Sequence, residues 1–259
     1  MFNKSLAALA AAWNLLIDIP LPKSLRVRAD DMDEDGPELT ALAFPVVGLL
    51  SGLVLFIVGW LLSELFQRSV GAALFGVIAV LLSESRDSGR GFSLAVSYAD
   101  NLSEGMGLAG SLQSLESDWR RLSGFAATLA GVLLLGVKIF CFRELFLAGA
   151  WSWVMGIFVL GAASQGYLSS CRSLYSGESF LAVTGSARHH IWLVAVFIML
   201  FYISNPAAVL LSLLVAVLGS VLFGRWCEDR FHGLDAMTIT LFGFWVELAV
   251  LLLGVLTLH

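Results

Sequence analysis

Seven apolar segments divide this chain, and they restrict its fold more than any other feature. They are Ala41–Phe66, Val70–Leu82, Leu122–Phe142, Leu145–Ala163, Ile191–Ile203, Pro206–Phe223 and Leu241–Leu256. A bilayer core about 30 Å thick asks for about 20 predominantly apolar residues of helix. Val70–Leu82 and Ile191–Ile203 are shorter, and the second extends backward through His190. Inside hydrocarbon each backbone amide must find its partner within its own segment, which selects the α-helix for runs of this length. Composition agrees: 14% of the 259 residues are charged, against about 25% in a soluble domain. The prediction is an all-α, polytopic integral membrane protein, a single domain over residues 1–259 with about seven transmembrane helices. An N-terminal half-helix and an interfacial helix complete it.

The run Ser5–Ile17 behind Lys4 has the outline of a secretory signal, but its Ala-Leu-Ala site falls within the apolar run rather than after it. At ~20 Å of helix it is also too short to cross a ~30 Å core. It reads as a half-buried or interfacial helix ending at Pro20. Ile19-Pro20-Leu21-Pro22 then enforces extended backbone, because proline bars its predecessor from the helix. The acidic run from Asp30 to Glu38 reads as a solvated loop. Cys141, Cys171 and Cys227 lie far apart with no CxxC, so neither zinc spacing nor a disulfide framework is indicated. Adjacent His189 and His190 point to different faces of a helix and fit an interface. No basic run interleaves with aromatics, which argues against nucleic acid.

With the N-terminus on side A, residues 1–40, 83–121, 164–190 and 224–240 share that side. They carry twelve Lys and Arg, against Arg68 and Arg143 on the other. Such a bias marks side A as cytosolic, and the expected location is the cell inner membrane with the N-terminus and polar face cytoplasmic. Seventeen of the twenty acids lie on side A as well, all but Glu64, Glu144 and Glu247. Connections on side B are two or three residues long. A functional site therefore belongs to the cytosolic face. Gly48 and Gly52 form a GxxxG pattern, and Gly124, Ala127 and Gly131 repeat small residues at helical spacing, which lets helices approach closely in lipid. Intramolecular packing is expected from these faces, and a homo-oligomer stays open.

The chemistry concentrates between Ser83 and Arg121, the one long polar interruption. Phe92, Ala95, Val96, Ala99, Leu102 and Met106 recur at three- to four-residue spacing and predict an amphipathic helix on the interface. Glu84, Asp87, Asp100 and Glu104 then sit at its two ends, available as oxygen ligands for Mg²⁺, which takes one or two carboxylates plus phosphate oxygens. Arg86, Arg90, Arg120 and Arg121 offer forked donors for phosphate. A plain solvated connection is the competing reading. Two ionisable residues lie inside predicted spans. Lys138 falls ~24 Å along its helix and is expected to snorkel to the far interface. Glu247 falls ~9 Å below Leu241, under the cytosolic face, and is a site-lining candidate. Loops of the GxxxxGK type, HExxH, GxSxG and the DGxxAR pattern of CDP-alcohol phosphotransferases are absent.

Several blocks in order resemble the cobalamin-5′-phosphate synthase family, the adenosylcobinamide-GDP ribazoletransferases. Phe44-Pro45-Val46-Val47-Gly48-Leu49-Leu50 is similar to that family's FPLVGLL, behind a start like Ile19-Pro20-Leu21-Pro22. Asp118-Trp119-Arg120 looks like the opening of its DSRxG element, and Lys138 matches a lysine in the helix that follows. Gly233-Leu234 and Trp245-Val246-Glu247-Leu248 are similar to its GGxTGDxxGA…E closing segment, with Glu247 on the glutamate. The acidic signature, roughly GGLHLDGLADTADG, is degenerate here: Ser83–Gly91 keeps Asp87, and Asp100 follows later. The aspartate of the TGD element falls on Met237, near Asp235. The arginine of an SRG element appears as Gln165.

The resemblance implies a Mg²⁺-dependent transferase that joins adenosylcobinamide-GDP to α-ribazole or its 5′-phosphate and releases GMP. Asp87, Asp118, Arg120 and Glu247 would be catalytic; Arg86, Arg90, Arg121 and Gln165 would bind substrate. Glu84, Asp87, Asp100 and Glu104 would hold the metal. The partners implied are membrane lipid, the corrinoid nucleotide and α-ribazole. Two alternatives remain: a homologue without catalysis that binds a corrinoid or a pathway partner, and an unrelated membrane transporter or scaffold.

Overall fold

The computed structural model describes residues 2–17, 36–106, 124–171, 187–202 and 205–257. Among them are nine helices and no strand: α1 (Phe2–Leu16), α2 (Gly36–Leu65), α3 (Arg68–Ser85), α4 (Arg90–Ser103), α5 (Phe125–Leu147), α6 (Trp151–Ser169), α7 (Ala187–Tyr202), α8 (Pro206–Phe231) and α9 (Ala236–Thr257). Five of them, α2, α3, α5, α8 and α9, are long and apolar enough to cross a membrane. The fold is all-helical and polytopic, as expected. The predicted break after Phe142 is corrected. Helix α5 runs on through Arg143 and Glu144, which pair with each other, and Gly149 closes it in the left-handed region at φ 69°. Glycine is the residue that leaves a helix this way at no steric cost.

The bundle is organised around α6. Every residue from Trp153 to Ser169 is buried. A helix covered on all sides belongs in a protein interior rather than at a lipid-facing surface, and α6 packs chiefly on α2 and α9, with α7 and α8 beside them. Its neighbours approach through glycine. A Cβ on Gly48 would overlap the carbonyl of Phe158, and one on Gly52 would lie 2.5 Å from the Cα of Met155. The GxxxG pattern of α2 is thus spent within the chain. At Gly136 of α5, by contrast, an added Cβ would meet nothing within 4 Å. Gly136→Ala is expected to leave stability unchanged or raise it by up to about 1 kcal/mol through helix propensity; Gly52→Ala should destabilise, and equal unfolding curves for the two variants would contradict this packing.

Two smaller clusters flank the main core. Helix α1 lays Ala12, Leu16 and Ile17 on Ala43, Phe44 and Val47 of α2 and Ala162 of α6. Helix α4 is the expected amphipathic helix, but much of its apolar face meets protein. Leu94 and Ala95 pack on Leu241, Phe244 and Leu248 of α9, while Leu102 and Met106 stay exposed.

Candidate functional site

The turn from α3 to α4 carries charge into the bundle. Ser88 and Gly89 both take positive φ, 56° and 72°, so the chain leaves α3 and begins α4 within four residues. Asp87 uses that turn locally: its carboxylate accepts from the amides of Gly89 at 3.1 Å and Gly91 at 3.0 Å. These amides belong to the start of α4, where orphan donors and the helix dipole both favour an anion. Asp100 does the same for α5, accepting from the amide of Ala127 at 3.2 Å. Asp235 caps α9 by accepting from Thr238 N at 2.7 Å.

On either side of Asp87 stand two ion pairs. Arg86 reaches Glu247 of α9 at 2.5 Å, and its guanidinium lies 5.1 Å from the ring centroid of Phe158. Glu84 is paired with Lys138 of α5, whose ammonium lies 4.8 Å from the ring of Phe244. Here the expectation for Lys138 is overturned. It is 3% exposed and belongs to the cluster rather than to the far interface. The physical reason is direction: helical side chains tilt toward the helix N-terminus, so a long lysine stem can run back from its Cα toward the end of the helix at which Glu84 waits. Measuring distance along the axis alone missed this.

Glycines make room for the polar groups. Helices α6 and α9 run antiparallel, with Trp153 donating to the carbonyl of Val250 at 3.0 Å. Further along the same seam Glu247 packs into Gly161 and Gln165 into Gly243, each so closely that a Cβ would overlap the side chain. Phe158, Gly161 and Gln165 share a face of α6 by their spacing. Asp100 lies against Gly124, and Asp87 lies 3.1 Å from a Cβ built on Gly91.

Of the expected site residues, the structure brings Glu84, Arg86, Asp87 and Glu247 together with Lys138, and sets Gln165 one helical turn from the glycine that seats Glu247. Arg90 opens α4 on the exposed side, and Glu104 is exposed beyond its end. Asp100 stands apart, at the start of α5. Asp118, Arg120 and Arg121 lie outside the described residues. The described acids form no all-protein cage for a resident Mg²⁺. No three His, Cys, Asp or Glu side chains converge among the described residues. Glu84 and Glu247 already face buried cations, and Asp87 and Asp100 serve helix ends.

Fold and site together define a polytopic helical membrane protein with a buried, internally paired charge cluster at the end of α3. Residues 8–85 match the family model described as cobalamin-5-phosphate synthase, which supports assignment to that family and a role in cobalamin biosynthesis. The match takes in the latter part of α1 and all of α2 and α3, including the Phe44–Leu50 block, and stops one residue before Arg86. No curated protein and no solved structure matches the chain.

Proposed function

We propose that the protein is a membrane transferase of cobalamin biosynthesis that joins adenosylcobinamide-GDP to α-ribazole or α-ribazole 5′-phosphate. A free ribose hydroxyl oxygen of the acceptor would bond to the phosphorus next to the cobinamide. The bond from that phosphorus to GMP would break, and the acceptor's proton would pass to water. The observation that supports this most directly is the family match leading straight into the Arg86 cluster. Arg86, already paired with Glu247 and ringed by Glu84 and Asp87, would fix the wall of the site rather than bind the pyrophosphate itself. Arg90, exposed at the start of α4, would meet a phosphate from solvent. Asp118, Arg120 and Arg121 belong to the proposal as leaving-group and phosphate residues, and Gln165 as a positioning group. Mg²⁺ dependence is expected to reside in the donor's pyrophosphate, and Asp87, whose described hydrogen bonds go to amides rather than to cations, is the carboxylate proposed to meet it. The cluster would face the cytoplasm from the inner membrane, with lipid the surrounding partner and a homo-oligomer compatible with the exposed helices.

One observation favours a second reading, a homologue that binds a corrinoid or a pathway partner without turnover: Lys138 and Arg86 already neutralise Glu84 and Glu247. The experiment is to incubate purified protein with Mg²⁺, adenosylcobinamide-GDP and α-ribazole and measure GMP. GMP that is lost on adding EDTA supports the transferase. Tight corrinoid binding without GMP moves the assignment to the second reading, and neither result removes both. Asp87→Asn sharpens the test. Asparagine keeps one acceptor oxygen, so it can hold one of the two amides and lose the other. As a good cap it should cost no more than about 1–2 kcal/mol of stability while turnover falls at least tenfold. Unchanged turnover would remove Asp87 from the reaction.

A further inference from the structure

Beneath α1, where α2, α3 and α6 meet, lies a cavity of about 120 Å³, with Trp13, Ser51, Val54, Leu82, Arg86 and Phe158 among its walls. That is close to the ~150 Å³ apolar cavity that stays dry and takes up benzene, so it holds one ring or a short run of methylenes. Val54 and Leu82 are exposed on helices apolar enough to span, which opens this wall to bilayer hydrocarbon. Ser51, Ser83 and Ser85 donate their hydroxyls back to their own helices. Arg86 is different. Its Nε is buried and has no hydrogen-bond partner among the described residues. Leaving a buried donor unpaired is costly, and an oxygen at the cavity end would satisfy it.

We infer that this cavity is a lipid site, taking part of an acyl chain of a membrane phospholipid while an ester oxygen accepts from Arg86 Nε. Charge selects the ester over the phosphate. Glu84, Asp87 and Glu247 all act on Arg86 electrostatically, and with Lys138 they leave two positive and three negative groups, a formal −1. An added anion is disfavoured there; a neutral carbonyl is not. The site is independent of the transferase reading, since it needs only the bilayer.

The test uses full-length protein in phosphatidylcholine nanodiscs containing a phosphatidylcholine with a diazirine on its acyl chain. Cross-links should concentrate at least fivefold on the cavity walls over exposed positions such as Leu133 and Leu222. The doubly filled variant Ser51→Leu/Val54→Phe should remove the excess while labelling elsewhere persists. Replacing the matrix with phosphatidylglycerol should leave the labelling within twofold. Even labelling of cavity and outer faces in the wild-type protein overturns the site without recourse to any variant. Strong preference for the anionic lipid overturns the ester assignment, and loss of labelling on adding α-ribazole assigns the cavity to substrate instead.

Discussion

Glu84→Gln and Lys138→Met, made singly, are each expected to lower the unfolding free energy of the detergent-solubilised protein by about 3 kcal/mol or more. Removing one partner of a buried pair strands the other's charge away from water, which costs about 3–5 kcal/mol. The larger effect is expected from Glu84→Gln, because it strands Lys138, whose side chain is 4% exposed against 17% for Glu84. The ring of Phe244 keeps part of the attraction and sets a ceiling on the loss. The double variant Glu84→Gln/Lys138→Met should recover most of it, since two neutral side chains carry no such penalty. Reversible unfolding with SDS in mild detergent measures all three. If the two losses simply add, the residues do not interact.

Gly161→Ala should be the more damaging change for function. Its Cβ would overlap the Glu247 carboxylate, and Glu247 is held by Arg86, so it can yield only by loosening that pair or by parting α6 from α9. Overpacking of this kind costs about 1–3 kcal/mol, against a helix-propensity gain for alanine of up to about 1 kcal/mol. On the proposed function, a net loss in stability together with at least tenfold weaker corrinoid binding is the expected outcome. Gly243→Ala should act in the same way through Gln165. Full stability and unchanged binding in Gly161→Ala would mean that the seam carries no function.

Much of the architecture was readable in advance because membrane helices announce themselves by length and apolarity. The FPVVGLL block sits in α2, as the resemblance required, and the amphipathic spacing of residues 92–106 located α4. The site was less legible. Glu247 could be flagged because an acid in an apolar span is costly, and so could Lys138, but the same argument sent Lys138 to the wrong end. Spacing reports a residue's height along one helix and nothing about which neighbour its side chain leans toward. Asp87 and Asp100 were candidates as metal ligands on charge alone, and their work at the ends of α4 and α5 became visible only with the amides in place.

The apolar runs dictate a helical membrane protein, because helices satisfy the backbone across them, and the charged residues from Ser83 onward mark the one long polar interruption. That Glu84, Arg86, Lys138 and Glu247, drawn from three parts of the chain, neutralise one another follows from the packing of α3, α5 and α9. That outcome depends on contacts across helices, where glycines at 161 and 243 let side chains approach to a distance that no local pattern encodes.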